Sequence, residues 1–155
     1  MTAYGGGGSR TLRSAFVNQP WNRASPPVDE GSVAIWTFEV ARALGPDACA
    51  SVVSRRIPEQ PAESRHDGVD YLRVPSWPEP FGPVARLRGA LSNGGIPRFA
   101  AGGYYGAYFR RAARRLAHWN PDVVHVHNLF QAMPVLRRRL PRAQFVLHKI
   151  GRAHV

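Results

Sequence analysis

The sequence predicts an α/β fold, a Rossmann-like doubly wound parallel sheet, and three observations carry that reading. Short valine-rich runs alternate with stretches whose apolar residues recur every three or four positions, the pattern of strands joined by crossover helices. The run Val123-Val124-His125-Val126-His127 follows turn chemistry at Asn120-Pro121-Asp122 and leads into Asn128, so a buried strand delivers proton-handling groups to its carboxyl end. Neither an internal repeat nor a heptad seam competes with this pattern. At 155 residues with 44% hydrophobic content, the chain suffices for one domain with a real core.

Residues 1–11, which include Gly5 to Gly8, are expected to form a flexible tail. Leu12 to Val17 reads as a first strand closed by Asn18-Gln19-Pro20, and a proline-rich loop follows from Trp21 to Glu30. Gly31-Ser32 opens a helix with Val33, Trp36, Val40 and Leu44 as its apolar stripe and Glu39 and Arg42 on its polar side; Gly45-Pro46 stops it. Ala48 to Val53 is a second buried strand. Arg55 to Arg65, dense in proline and charge, reads as a surface loop, and Asp67-Gly68 as the turn into a third strand, Val69 to Val74, which Pro75 closes. The Pro- and Gly-rich segment from Ser76 to Gly103 reads as an irregular excursion on the ligand side, with a short helical piece near Val84 to Leu91.

Tyr104 to Trp119 is the clearest helix. Tyr105, Phe109, Ala112, Leu116 and Trp119 align on one face, with Arg110, Arg111, Arg114, Arg115 and His118 opposite. Val123 to His127 is the fourth strand, a helix from about Phe130 to Arg139 ends at Leu140-Pro141, and Phe145 to His148 is the fifth strand. The pattern stops there, so the domain is expected over 12–149, with 150–155 truncated or non-native.

The net charge of +11 is almost wholly arginine, since Lys149 is the only lysine. Such a charge draws polyanions: nucleic acid, an anionic membrane surface or phosphorylated small molecules. No recognised nucleic-acid motif accompanies it, which ranks nucleic acid below the others. The arginine stripe of residues 110, 111, 114 and 115 is either a solvated helix face or a surface that rests on anionic lipid. Cys49, the only cysteine, lies in an apolar run and reads as a small buried hydrophobe; a disulfide framework and a thiolate zinc site are excluded. No apolar run approaches the roughly 20 residues of a membrane span. The amino end lacks the apolar core of a signal peptide, so a cytoplasmic protein is expected.

Period-2 geometry places His125 and His127 on one strand face, and only His127 reaches the carboxyl edge, where open α/β sheets bind ligands. A neutral imidazole there can polarise or deprotonate a hydroxyl, whereas His125 reads as a hydrogen-bonded core histidine. Asn128 and His148 complete the constellation. His-x-His with a third histidine also suits zinc or iron, but no carboxylate pair accompanies it, so no metal is expected. Gly31-Ser32 offers free N–H groups and a helix dipole to a phosphate, although Asp29-Glu30 before it would repel one and ordinary capping explains it equally well.

The segment Asn120-Pro-Asp-Val-Val-His-Val-His-Asn128 resembles the fourth-strand motif, "pDvvHvHn", of family 4 glycosyltransferases of the GT-B architecture. Phe16-Val17-Asn18-Gln19-Pro20, Gly31-Ser32 with Thr37 to Leu44, Asp67 to Pro75, Leu136-Arg137-Arg138 and Phe145 to His148 resemble other landmarks of that family in the right order. The resemblance spans roughly residues 12 to 148. It implies one incomplete GT-B domain, the acceptor side of a retaining enzyme that transfers a sugar from a nucleotide-sugar donor to a sugar or lipid-linked acceptor, with polysaccharide biosynthesis at the inner membrane face as the expected setting. By the same resemblance His127 lies beside the reacting sugar and the Gly31-Ser32 helix start faces the donor diphosphate. No cofactor is implied, only the nucleotide-sugar as co-substrate. Two features depart from the family pattern: Ser32 replaces the second glycine of the usual pair, and the acidic residues hold no Glu-x7-Glu pair of a carboxyl-terminal donor domain, so the chain alone is expected to be inactive. The rival reading is a non-catalytic Rossmann-type module that holds a phosphorylated ligand or nucleic acid on its basic surface.

Overall fold

The computed structural model of the chain describes residues 10–28, 31–45, 48–76 and 105–148. The strands are β1 (Leu12–Val17), β2 (Ala48–Arg55), β3 (Glu63–His66), β4 (Val69–Val74), β5 (Val123–His127) and β6 (Gln144–His148). The helices are α1 (Ser32–Ala43), α2 (Gly106–Trp119) and α3 (Met133–Arg139), the last led in by a 3-10 turn at Phe130–Ala132. The strands form one sheet in the order β3-β4-β2-β1-β5-β6, parallel throughout except for the antiparallel β3–β4 pair. The Rossmann-like sheet expected from the sequence is therefore the sheet found. The chain winds outward from β1 to β2 and β4, then returns to place β5 on the other side of β1. The order reverses between β1 and β5, and such a switch point opens a crevice at the strands' carboxyl ends.

Alternation along β1 divides the core into two layers. Ala15 and Val17 face the layer built with Tyr108, Phe109, Ala112 and Leu116 of α2 and Leu136 of α3. Phe16 faces the opposite layer, with Ala34 and Ala41 of α1, Val52 and Tyr71. Leu116 is fully buried, which contributes about 2 kcal/mol.

Helix α2 has a defined stop. Asn120 takes the left-handed conformation, φ 56°, and its N–H donates to Leu116 O at 2.7 Å, while Pro121 prevents continuation. Arg13 Nε, from β1, donates to Trp119 O at 3.0 Å and Asn120 O at 3.1 Å, and its guanidinium lies 4.2 Å from the Trp119 ring centre. The helix end thus finds donors for its last carbonyls and a cation against its dipole.

Three sequence expectations are corrected. The surface loop of Arg55 to Arg65 ends in β3, which reaches β4 through a hairpin whose two turn residues, Asp67 (φ 49°) and Gly68 (φ 78°), both have positive φ. In α1 the buried stripe is Val33, Ala34, Thr37 and Ala41, while Trp36 is 40% exposed. Small residues let the helix approach the sheet, and the indole is displaced to the rim. Cys49 is only partly buried in β2. The expectations for 1–9, Asp29-Glu30, Pro46, the Val84 to Leu91 piece with its surroundings in 77–104, and 149–155 lie outside the described residues.

Candidate functional site at the switch point

Parallel register places His127 of β5 opposite His148 of β6, and Phe16 of β1 opposite His125. The four rings share one sheet face. Phe16 and His125 stack with centroids 4.6 Å apart, and His127 stacks on His148 at 4.8 Å. His125 Nδ1 and His148 Nε2 are 2.8 Å apart, a hydrogen bond between imidazoles. Trp36 of α1 lies over the rings, 5.0 Å from both His127 and His148, as the solvent-side member of the cluster. His127 itself is 2% exposed.

The protonation states follow from this packing. Burial, reinforced by the neighbouring His148 and then His125, holds His127 down to about 4; burial and His148 do the same to His125. Both are neutral at pH 7. The Thr37 hydroxyl has two oxygen acceptors nearby, Val33 O at 2.8 Å and Asn18 Oδ1 at 3.0 Å, and His127 Nε2 lies at 3.5 Å. Its one proton goes to an oxygen, so toward His127 it can only accept, which agrees with the tautomer of His127 that carries its proton on Nε2. Nδ1 is then a bare acceptor, buried with no described partner, and Asn18 Nδ2 is a buried donor in the same condition. Each such atom costs about 1–3 kcal/mol; Ser51 Oγ, Tyr71 Oη and Gln131 Oε1, outside this network, are also buried without a described partner. Asn18 follows β1 at its carboxyl end, its N–H bonded to Val53 O and its carbonyl accepting from the buried Tyr108 hydroxyl at 3.1 Å.

No protein-family model matches the sequence, and no characterised protein matches it in sequence. Among solved structures, the chain is similar to sucrose-phosphate synthase from Thermosynechococcus elongatus, with 16% identity and a TM-score of 0.50, over 89% of this chain and 32% of that one. The likeness is one of fold. Two further structures, a trehalose-6-phosphate protein from E. coli bound with UDP-2-fluoro glucose (17% identity, TM-score 0.49, 88% of this chain) and α,α-trehalose 6-phosphate synthase from Burkholderia multivorans (16%, 0.48, 90%), are too distant to carry weight. The chain spans about a third of the length of each of these structures, 32% in every case.

The remaining sequence candidates separate in space. Gly31 is the exposed N-cap of α1 at φ 82°, and Ser32 begins the helix, exposed, with no acidic residue in the first turn. A residue with a Cβ would be strained at Gly31. Asn128 also has positive φ, 57°, and its N–H donates to His148 O at 2.9 Å, tying the ends of β5 and β6 together. Arg110, Arg111, Arg114 and Arg115 belong to α2, in the layer on the other face of the sheet from α1 and the histidines. Among the described residues, no group of three or more His, Cys, Asp or Glu is arranged to hold a metal. No described helix is long and apolar enough to cross a membrane.

Sequence reasoning missed Asn18, Trp36 and Thr37. Asn18 was open to detection as the polar residue closing β1 at a switch point. Thr37 and Trp36 were not, because helical periodicity alone assigned the indole to the core.

Proposed function

We propose that this chain is the acceptor-side domain of a retaining glycosyltransferase that takes its sugar from a nucleotide-sugar donor. The observation that carries the reading is the bare Nδ1 of a buried, neutral His127 at the switch point. Support comes also from the motif order along the chain and from the fold shared with a sucrose-phosphate synthase. In this reading, Nδ1 accepts a hydrogen bond from a hydroxyl of the reacting sugar once Trp36 moves aside, and Asn18 Nδ2 donates to a sugar oxygen. Asn128 and His148 line the same end of the sheet, and the N-terminus of α1 at Gly31-Ser32 faces the donor diphosphate. The acceptor is a sugar or a lipid-linked sugar, and a carboxyl-terminal domain supplies most of the donor contacts. With a lipid-linked acceptor, the arginine face of α2 rests on the cytoplasmic face of an anionic membrane.

The test is turnover of nucleotide-sugars by the protein that carries this domain. His127→Ala should lower turnover at least tenfold, and the product should keep the donor's anomeric configuration by NMR. Unchanged turnover would remove His127 from the site; an inverted product would end the retaining assignment.

A further inference from the structure

A second concavity lies away from the histidines, between α2 and the β3–β4 edge. It has a volume of about 420 Å³, and its wall includes Arg56, Arg73, Arg111, Arg114, Arg115 and His118. Arg56 and Arg73 come from the ends of β2 and β4, whereas the others project from α2 at the three- and four-residue spacing that puts them on one side of the helix. Five guanidinium groups at one concavity repel one another, and a bound anion would relieve that repulsion.

The described counter-charge is small. Glu63 of β3 pairs with Arg115, both of them exposed to solvent. Arg111 donates to Pro75 O at 3.3 Å and Arg114 Nε to Arg110 O at 3.4 Å, both neutral oxygens. Arg73 is 4% exposed, and its guanidinium donates to Ser25 Oγ at 2.9 Å, Ser64 Oγ at 2.8 Å and Pro61 O at 3.1 Å. Those three oxygens satisfy N–H groups but do not neutralise the charge. A buried cation without a matched anion is what a ligand of opposite charge corrects.

We propose that this cleft is an anion site for a phosphate or pyrophosphate group, with Arg56, Arg111, Arg114 and Arg115 as its ligands and Arg73 as a fixed charge in its wall. The planar guanidinium forks match phosphate oxygens two at a time. The volume leaves room for more than a bare phosphate. Glu63 is a built-in competitor: an incoming anion takes Arg115 from it. The cleft lies across the sheet from the histidines and needs none of them, although Arg111, Arg114 and Arg115 also belong to the α2 face that the sugar-transfer reading rests on a membrane.

The experiment titrates the chain with inorganic pyrophosphate by calorimetry near physiological salt. Saturable one-to-one binding is expected. Arg111→Gln/Arg114→Gln should weaken it at least tenfold, about 1.4 kcal/mol. Glu63→Gln should tighten it by releasing Arg115. Arg137→Gln/Arg138→Gln/Arg139→Gln, which removes more charge from the exposed face of α3, should leave it within twofold. If the double variant loses its fold by circular dichroism, Arg114→Gln alone, at an exposed position, is read instead. Equal loss in the α3 variant, or no saturation with the native chain, overturns the proposal. Vesicles containing phosphatidic acid then distinguish the source. Sedimentation that pyrophosphate competes away assigns a lipid headgroup, and no sedimentation assigns a soluble phosphorylated molecule.

Discussion

At the scale of single residues, the imidazoles set a dependence of stability on pH. His127 and His125 both titrate near 4 in the folded chain, lowered mainly by burial, and near 6.5 when unfolded. The unfolded chain therefore binds more protons between those values, and stability must fall as pH drops through that window and level off below it. Above about 6.5 the two histidines contribute no slope. The urea midpoint should therefore be flat from pH 8 to 6.5 and decline toward pH 4. His125→Asn/His127→Asn should flatten that decline, and a double variant with the native slope would show that other groups titrate. Part of this site was legible in the chain: strand alternation paired His125 with His127, and Asn120-Pro121-Asp122 fixed where the strand begins. The tautomer was not legible, because it depends on Thr37, 90 positions away in sequence, and on which oxygen receives one proton.

At the scale of elements, the stop of α2 aligns the β5 motif, since Asn120 ends the helix two residues before Asp122 leads into the strand. The left-handed backbone at Asn120 tolerates glycine and penalises a β-branched side chain. Asn120→Gly should hold or slightly raise the unfolding free energy, whereas Asn120→Val should lower it by about 1–2 kcal/mol. Arg13→Met, which keeps bulk over Trp119 but removes the donors to the last carbonyls, should cost about 1–3 kcal/mol. Chemical denaturation of the three variants checks the set; a harmless Asn120→Val would mean that the turn relaxes. Strands with apolar alternation were readable because burial dictates their residues. β3 was not, because Glu63-Ser64-Arg65-His66 is an edge strand facing solvent, held by backbone pairing and polar side-chain contacts that leave no apolar alternation to read. The Asp67-Gly68 pair was the remaining signal, since two positive-φ residues favour a hairpin over a simple strand entry.

At the scale of the whole molecule, the net charge of +11 is not spread evenly. α2 and α3 pack against each other on one face of the sheet, and their outward residues Arg110, Arg114, Arg137, Arg138 and Arg139 are exposed. On α1, across the sheet, Glu39 instead pairs with Arg42 at 2.8 Å. One face of the molecule is thus a cationic layer, which attracts any polyanion before it recognises one. This polarity separates sugar transfer from the rival nucleic-acid module by salt dependence. Purely electrostatic attraction to a DNA duplex loses roughly a thousandfold or more in affinity between about 50 and 200 mM salt when six or more phosphates are contacted. The sugar-transfer reading expects that collapse, together with indifference to base sequence. Binding measured by fluorescence anisotropy against single- and double-stranded oligonucleotides should therefore vanish near physiological salt. Affinity that persists there and distinguishes one sequence from another would make the cationic layer a recognition surface and move the function of the chain to nucleic acid.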